Sequence, residues 1–264
     1  MKTLTFCFKI INLLFFVVWI VVAKSATAQT VKPIESGKIE FERKQNMYKI
    51  LNVLYGNSDE AYYKNYVDDY KSKNPQFVTS QFSLTFNPQK ALYQPMPSQT
   101  LATGFVSTCA FTNIVISDLV TQTSQSHKNV LATDFVITDS LPKIRWRITN
   151  ETREIAGFSC RRANTLILDS VYVVAFYTDE IVPKAGPEAF TGLPGMILGV
   201  ALPNEQVTWF ATKFTPSIDN GLKTNPVLKG KKITNTELKN LLKNNDMLQY
   251  EPKQAAFAIK RAMF

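Results

Sequence analysis

A single histidine, three cysteines and ten glycines in 264 residues remove several chemistries at the outset. One imidazole cannot supply a His-based metal cluster, and any catalytic dyad or triad that needs histidine must use His127. No Lys/Arg-rich stripe accompanies the net charge of +9, so nucleic acid is not the implied partner. Asp68 and Asp69 lack the alternation and the glycine of a calcium loop. The glycines that cluster do so ahead of a strand rather than a helix N-terminus, which excludes a phosphate-cradling loop. The composition therefore points to no metal and no cofactor. What is present is an ordinary globular share of apolar residues, 45%, sufficient for one or two packed domains.

The longest apolar run, residues 10–23, covers about fourteen positions where a membrane span needs ~20. Lys2 and Lys9 precede it and Ala26-Thr27-Ala28 follows it, the three parts of a secretory signal, with cleavage expected after Ala28. Removing Lys2, Lys9 and Lys24, and no acid, takes the charge from +9 to +6. The expected product is a single β domain over 29–264 with no membrane span, in the periplasm or at the outer-membrane periphery. Cys7 leaves with the signal. Cys109 and Cys160 remain, and an oxidising compartment allows either a disulfide across about fifty residues or two separate buried thiols.

Hydrophobic periodicity divides the mature chain. Ile39 and Phe41 alternate with Lys38 and Glu40, a short strand. Residues 46–72 carry apolar positions at helical spacing (Met47, Ile50, Leu51, Leu54) among Lys, Asp, Asn and Tyr, so a helical excursion is expected there. Its six tyrosines read as the packed face of a helix pair, with sugar binding as the alternative. From residue 77 the period is two. Candidate strands follow at 77–87, 91–93, 113–119, 129–137, 145–149, 154–165, 170–177, 196–202 and 206–214, with turns at Asn150-Glu151, Leu168-Asp169 and Pro203-Asn204. Successive hairpins predict a mostly β protein: one strongly curved antiparallel sheet or a partly closed barrel. Thr234 and Glu237 form a capping box before a short C-terminal helix, and the tail at 249–264 is expected to be loosely held. His127 falls in a polar stretch that reads as an exposed loop.

The most distinctive segment runs from Gly186-Pro187 through Gly192-Leu193-Pro194-Gly195-Met196-Ile197. Leu193-Pro194-Gly195-Met196 has the residues of a type II turn, with Pro194 presetting φ and Gly195 supplying positive φ. The stretch resembles the signature of the GLPGLI family of exported Gram-negative proteins, with Met196 in place of the usual Leu. The likeness extends to Trp146, to Ile155-Ala156-Gly157-Phe158-Ser159-Cys160-Arg161-Arg162-Ala163 and to Ala175-Phe176-Tyr177-Thr178-Asp179-Glu180-Ile181, where Phe176 replaces Trp. It implies mostly antiparallel β structure and no known biochemical role. A more distant likeness, to the non-catalytic bowl-shaped N-terminal module of some bacterial peptide-N-glycosidases, implies binding or scaffolding and transfers no catalytic residues.

Eighteen Phe and ten Tyr can line a hollow on the concave face of such a sheet, or fill it as core. The leading expectation is an exported, non-enzymatic envelope protein that binds a lipid or other apolar ligand, or an envelope protein partner, on that face. An adaptor with a filled core is the second reading. A hydrolase using a carboxylate pair drawn from Asp179, Glu180 and Glu188 is the third.

Overall fold

The computed structural model describes residues 33–56, 60–97, 112–168, 170–217, 226–245 and 252–262. The expected signal at 1–28 and Cys109 lie outside them. Residues 34–264 form one compact unit. Among the described residues no helix is long and apolar enough to cross a membrane.

The strands are β1 (Gly37–Asn46), β2 (Phe77–Phe86), β3 (Lys90–Pro95), β4 (Ile114–Asp118), β5 (Thr123–Val130), β6 (Thr133–Ser140), β7 (Arg147–Ile155), β8 (Phe158–Ile167), β9 (Val171–Thr178), β10 (Met196–Leu202), β11 (Val207–Pro216) and β12 (Lys231–Ile233). They join in one open sheet, ordered β12-β6-β5-β4-β3-β2-β1-β11-β10-β9-β8-β7. The architecture is thus the expected mostly β, curved and unclosed sheet. Two antiparallel meanders meet at β1, which pairs with β2 on one side and β11 on the other. One pairing is parallel, β12 on β6, so the sheet is mixed rather than purely antiparallel.

Strand β1 shows why the core is continuous across the junction. Ile39, Phe41, Arg43 and Gln45 alternate with Lys38, Glu40, Glu42 and Lys44, and all four of the first set are buried. The period-two pattern continues past Phe41 through polar residues, so the strand is longer than the hydrophobic signal suggests. Phe82, Leu84, Tyr93, Val173, Val200 and Trp209 join the same cluster. Ile181, Ala185, Phe190 and Leu193 of the β9–β10 connection pack into it, with Phe190 edge-on to Trp209 at 6.3 Å between ring centroids. The inner face of the sheet is therefore covered by the chain's own side chains rather than left as an apolar hollow.

The helices are α1 (Met47–Tyr55), α2 (Ala61–Lys73), α3 (Asn235–Lys243) and α4 (Pro252–Ala262). Asn46 caps α1 by accepting from the Lys49 amide, and Tyr48 Oη lies within hydrogen-bond distance of the Lys71 and Asn74 carbonyls, which ties α1 to α2. Tyr55 stacks on Tyr63 at 4.9 Å, so these tyrosines pack on one another. Thr234 and Glu237 make both halves of the capping box on α3.

Several local features differ from expectation. The strand foreseen at 129–137 is two strands, because Leu131 and Ala132 take φ of 50° and 61° and turn the chain. A turn that needs positive φ at both central positions ordinarily signals itself with Asn-Gly, and Leu-Ala carries no such signal. His127 consequently sits within β5 beside Asp134, 3.3 Å away across the pair to β6, not in an exposed loop. The β7–β8 reversal occurs at Ala156-Gly157, both with positive φ, and not at Asn150-Glu151, where the two strands slip register instead. The tail is also held: Phe257 and Arg261 of α4 are buried, and Arg261 donates to the Glu205 carbonyl at 2.7 Å.

The Leu193–Met196 corner is not the expected type II turn. The Met196 amide donates to the Ile181 carbonyl at 3.1 Å, while the Gly195 amide reaches Leu193 at 2.8 Å, a tighter reversal centred on Pro194. The cross-loop partner outcompetes the local one. A Cβ on Gly195 would lie 2.0 Å from the Thr178 carbonyl oxygen, whereas one on Gly157 would meet nothing within 4 Å. Gly195→Ala is therefore expected to exceed the ~3 kcal/mol of ordinary destabilising substitutions, and Gly157→Ala to cost about 1–2 kcal/mol from its positive φ alone. Urea midpoints of the two variants, measured side by side, check the order.

Candidate functional site

Two connections build the site. The first, residues 141–146, carries the chain from β6 to β7 at the opposite end of the sheet, and since it crosses over other elements its polar groups must find partners there. The Leu141 amide donates to the Gln122 carbonyl, Thr165 Oγ1 donates to the Arg145 carbonyl at 2.8 Å, and Trp146 Nε1 donates to the Thr191 carbonyl at 2.8 Å. The second, residues 179–195, holds the signature stretch. It is closed by the Met196-to-Ile181 bond and by the Ile197 amide donating to Ala185 at 2.8 Å. Thr191 Oγ1 donates to the Lys184 carbonyl within it. Gly186 is needed here because a Cβ would lie 2.8 Å from Ile197 Cβ.

Where the two connections run together they bound two spaces. An open groove of about 860 Å³ is lined by Glu35, Gln122, Lys143, Arg145 and Lys184 among Pro88, Pro142, Ile144 and Pro183. A smaller cavity of about 200 Å³ lies on the other side of Ser140, Pro142 and Ile144, which line both. Into the smaller space come Glu188, Lys128, Ser124, Ser126, Asn235 and Phe190.

Glu188 is 2% exposed. One oxygen accepts from Asn113 Nδ2 at 3.0 Å, while Oε1 has no hydrogen-bond partner among the described residues. Burial pushes its carboxyl above the ordinary range, opposed by the positive charges of Lys128 and Arg43. Lys128 is buried too; burial lowers its ammonium to about 8, against the pull of Glu188, so it stays protonated at neutral pH. Its Nζ donates to the Ala262 carbonyl at 3.0 Å. Behind Glu188, Tyr93 is fully buried, and burial first and Glu188 second hold its phenol well above the usual value. Arg43 stacks over Trp209 at 5.5 Å and donates to Gln45 at 2.7 Å. A line of charged and polar groups thus threads an otherwise apolar interior.

The three candidate carboxylates are not gathered at one place. Asp179 and Glu180 are exposed; Glu180 lines a separate polar depression of about 490 Å³ with Arg153 and Glu154, while Glu188 is buried in the inner cavity. Asp69 pairs with Lys73 along α2. Of the signature residues, Gly186, Leu193, Gly195, Met196 and Ile197 serve backbone approach and packing. Lys128, Asn113, Arg43 and Tyr93 were not singled out by sequence reasoning; inward phase on alternating strands could have marked Lys128, Arg43 and Tyr93, whereas Asn113 precedes β4 and carries no such signal. Cys160 is a buried free thiol whose Sγ lies 3.5 Å from the Phe158 carbonyl, and the other half of the proposed bridge, Cys109, lies outside the described residues.

Burial pushes the Cys160 thiol up to about 12. Above pH 9 the unfolded thiol ionises while the folded one keeps its proton, so the folded state loses stability as the pH rises from there. The Cys160→Ala variant lacks this loss. Urea midpoints between pH 9 and 10.5 are expected to fall more steeply for the wild type than for the variant, and parallel curves would contradict the burial argument.

Residues 110–251, more than half of the chain, match the family model described as N-glycanase peptide, N-terminal domain. Two solved structures of PNGF-II, from different crystal forms, are similar to the chain at 13% identity each, with TM-scores of 0.48 and 0.46; they cover 80% and 83% of it. The chain spans about a third of their length, 33% and 32%. No curated protein matches it. The family match overturns the GLPGLI resemblance, whose hexapeptide is a short turn sequence in which Gly195 packs against the Thr178 backbone. It also overturns the reading of a non-enzymatic envelope protein that carries an apolar ligand or serves a partner as an adaptor.

Proposed function

Because this chain belongs to the family of N-glycanase peptide N-terminal domains, we propose that it serves the processing of N-linked glycans by holding the glycosylated peptide in the groove between the 141–146 and 182–192 segments. The observation that carries this reading is the groove's mixture of surfaces. At about 860 Å³ it is of a size to hold several sugar rings. Arg145, Lys143, Lys184, Glu35 and Gln122 provide donors and acceptors around it, and the prolines and Ile144 provide the flat apolar patches that sugar rings and extended peptide both pack upon. Much of this lining, from Leu119 through Gly192, falls inside the matched residues. The N-terminal export pattern agrees with glycoproteins met outside the cytoplasm.

Biolayer interferometry against an N-glycosylated protein and against the same protein stripped of its glycans tests the reading. Tighter binding to the glycosylated form is expected, with Lys143→Ala/Arg145→Ala weakening it about tenfold, ~1.4 kcal/mol, since both side chains are exposed and their loss leaves the core intact. Equal affinity for the two forms contradicts it.

A further inference from the structure

Nothing in the groove requires Glu188 to be buried, and a carboxylate with one oxygen unpaired in the interior is costly. Its neighbours explain how the charge is tolerated, through Lys128 and Asn113, but among the described residues none donates to Oε1. The cavity that Glu188 lines holds about 200 Å³, roughly six waters at ~30 Å³ each, room for one ring and no more. An occupant must bring an O–H or N–H to Oε1. It gains nothing from net charge, because an anion meets Glu188 and a cation meets Lys128. It finds further donors and acceptors on Ser124, Ser126 and Asn235, and an apolar wall on Phe190. A compact ring with hydroxyls around its edge and an apolar face satisfies all of these conditions together.

We propose that the cavity behind Pro142 and Ile144 is a subsite for one neutral pyranose, with a sugar hydroxyl donating to Glu188 Oε1 and a ring face lying against Phe190. The assignment rests on the glycan-directed reading above, since the cavity and the groove share Ser140, Pro142 and Ile144 as a common wall. The same chemistry serves a free monosaccharide or a terminal residue of a glycan lying in the groove.

Calorimetric titration of the full chain with mannose, N-acetylglucosamine and galactose, one at a time, tests the subsite. At least one is expected to bind with a dissociation constant on the order of 1 mM. Glu188→Gln replaces an acceptor-only oxygen with an amide and is expected to weaken binding about tenfold. Ser124→Phe narrows the cavity away from the buried pair and is expected to abolish it; circular dichroism confirms the fold of each variant, and Ser124→Phe decides alone if Glu188→Gln does not fold. No heat with any of the three sugars, or binding that the folded variants leave unchanged, overturns the subsite. Glycoprotein binding, measured in parallel, separates the two readings. Glycan-dependent binding without monosaccharide binding removes the subsite and leaves the groove, whereas Glu188-dependent monosaccharide binding without it supports the subsite and removes the groove.

Discussion

The hydrogen bonds that close the β9–β10 connection, Met196 to Ile181 and Ile197 to Ala185, are the constraint on which the rest depends. They fold fifteen-odd residues back over the sheet and drive Phe190 and Leu193 into the core. They also place Glu188, with a φ of 53°, almost wholly inside the fold, where it meets only the small cavity. Gly186 and Gly195 are the positions at which this closure leaves no space for a Cβ. Without the closure the inner face of the sheet would be an exposed apolar surface, and neither the groove nor the cavity would have its second wall.

The cost of that arrangement is a set of polar groups that the fold must satisfy out of water. Arg43, Tyr93, Trp209, Glu188 and Lys128 come from strands or connections on both meanders, and β1 lies where the meanders meet. Charge balance between Lys128 and Glu188 offsets part of the desolvation, and α4 adds a carbonyl acceptor from Ala262 to Lys128. The C-terminal segment is thereby part of the site's support. Stability alone does not account for an interior this polar, since an apolar replacement of equal volume is often as stable.

The sheet was legible because alternation is a local property: β2, β9, β10 and β11 can be read from Phe82/Leu84/Phe86, the 171–178 run, Met196–Leu202 and Trp209. Where charged residues keep the same phase, as at Arg43 and Gln45 in β1 and Lys128 in β5, the pattern is present but hydrophobicity no longer reports it. The turn at Leu131-Ala132 escaped because neither residue prefers the positive φ it adopts, and the β7–β8 reversal was misplaced although Gly157 carries that preference. The site was less legible still. Glu188 was noticed as an acid near a distinctive loop, yet its burial depends on Asn113 and Lys128, 75 and 60 positions away in the chain, and no spacing rule brings them together. The hexapeptide suggested one family while the longer match over 110–251 belongs to another, because a proline-glycine corner recurs wherever a strand must start beside another backbone.

The most direct test of the central claim, that the two connections form the walls of a glycan site, is amide hydrogen exchange of the full chain with and without an N-glycosylated peptide. The account predicts slowed exchange in the segments 119–124, 140–146 and 182–192, and little change in α1 and α2. Protection confined to the tyrosine-bearing helices, or absent from the whole chain at saturating peptide, would contradict it.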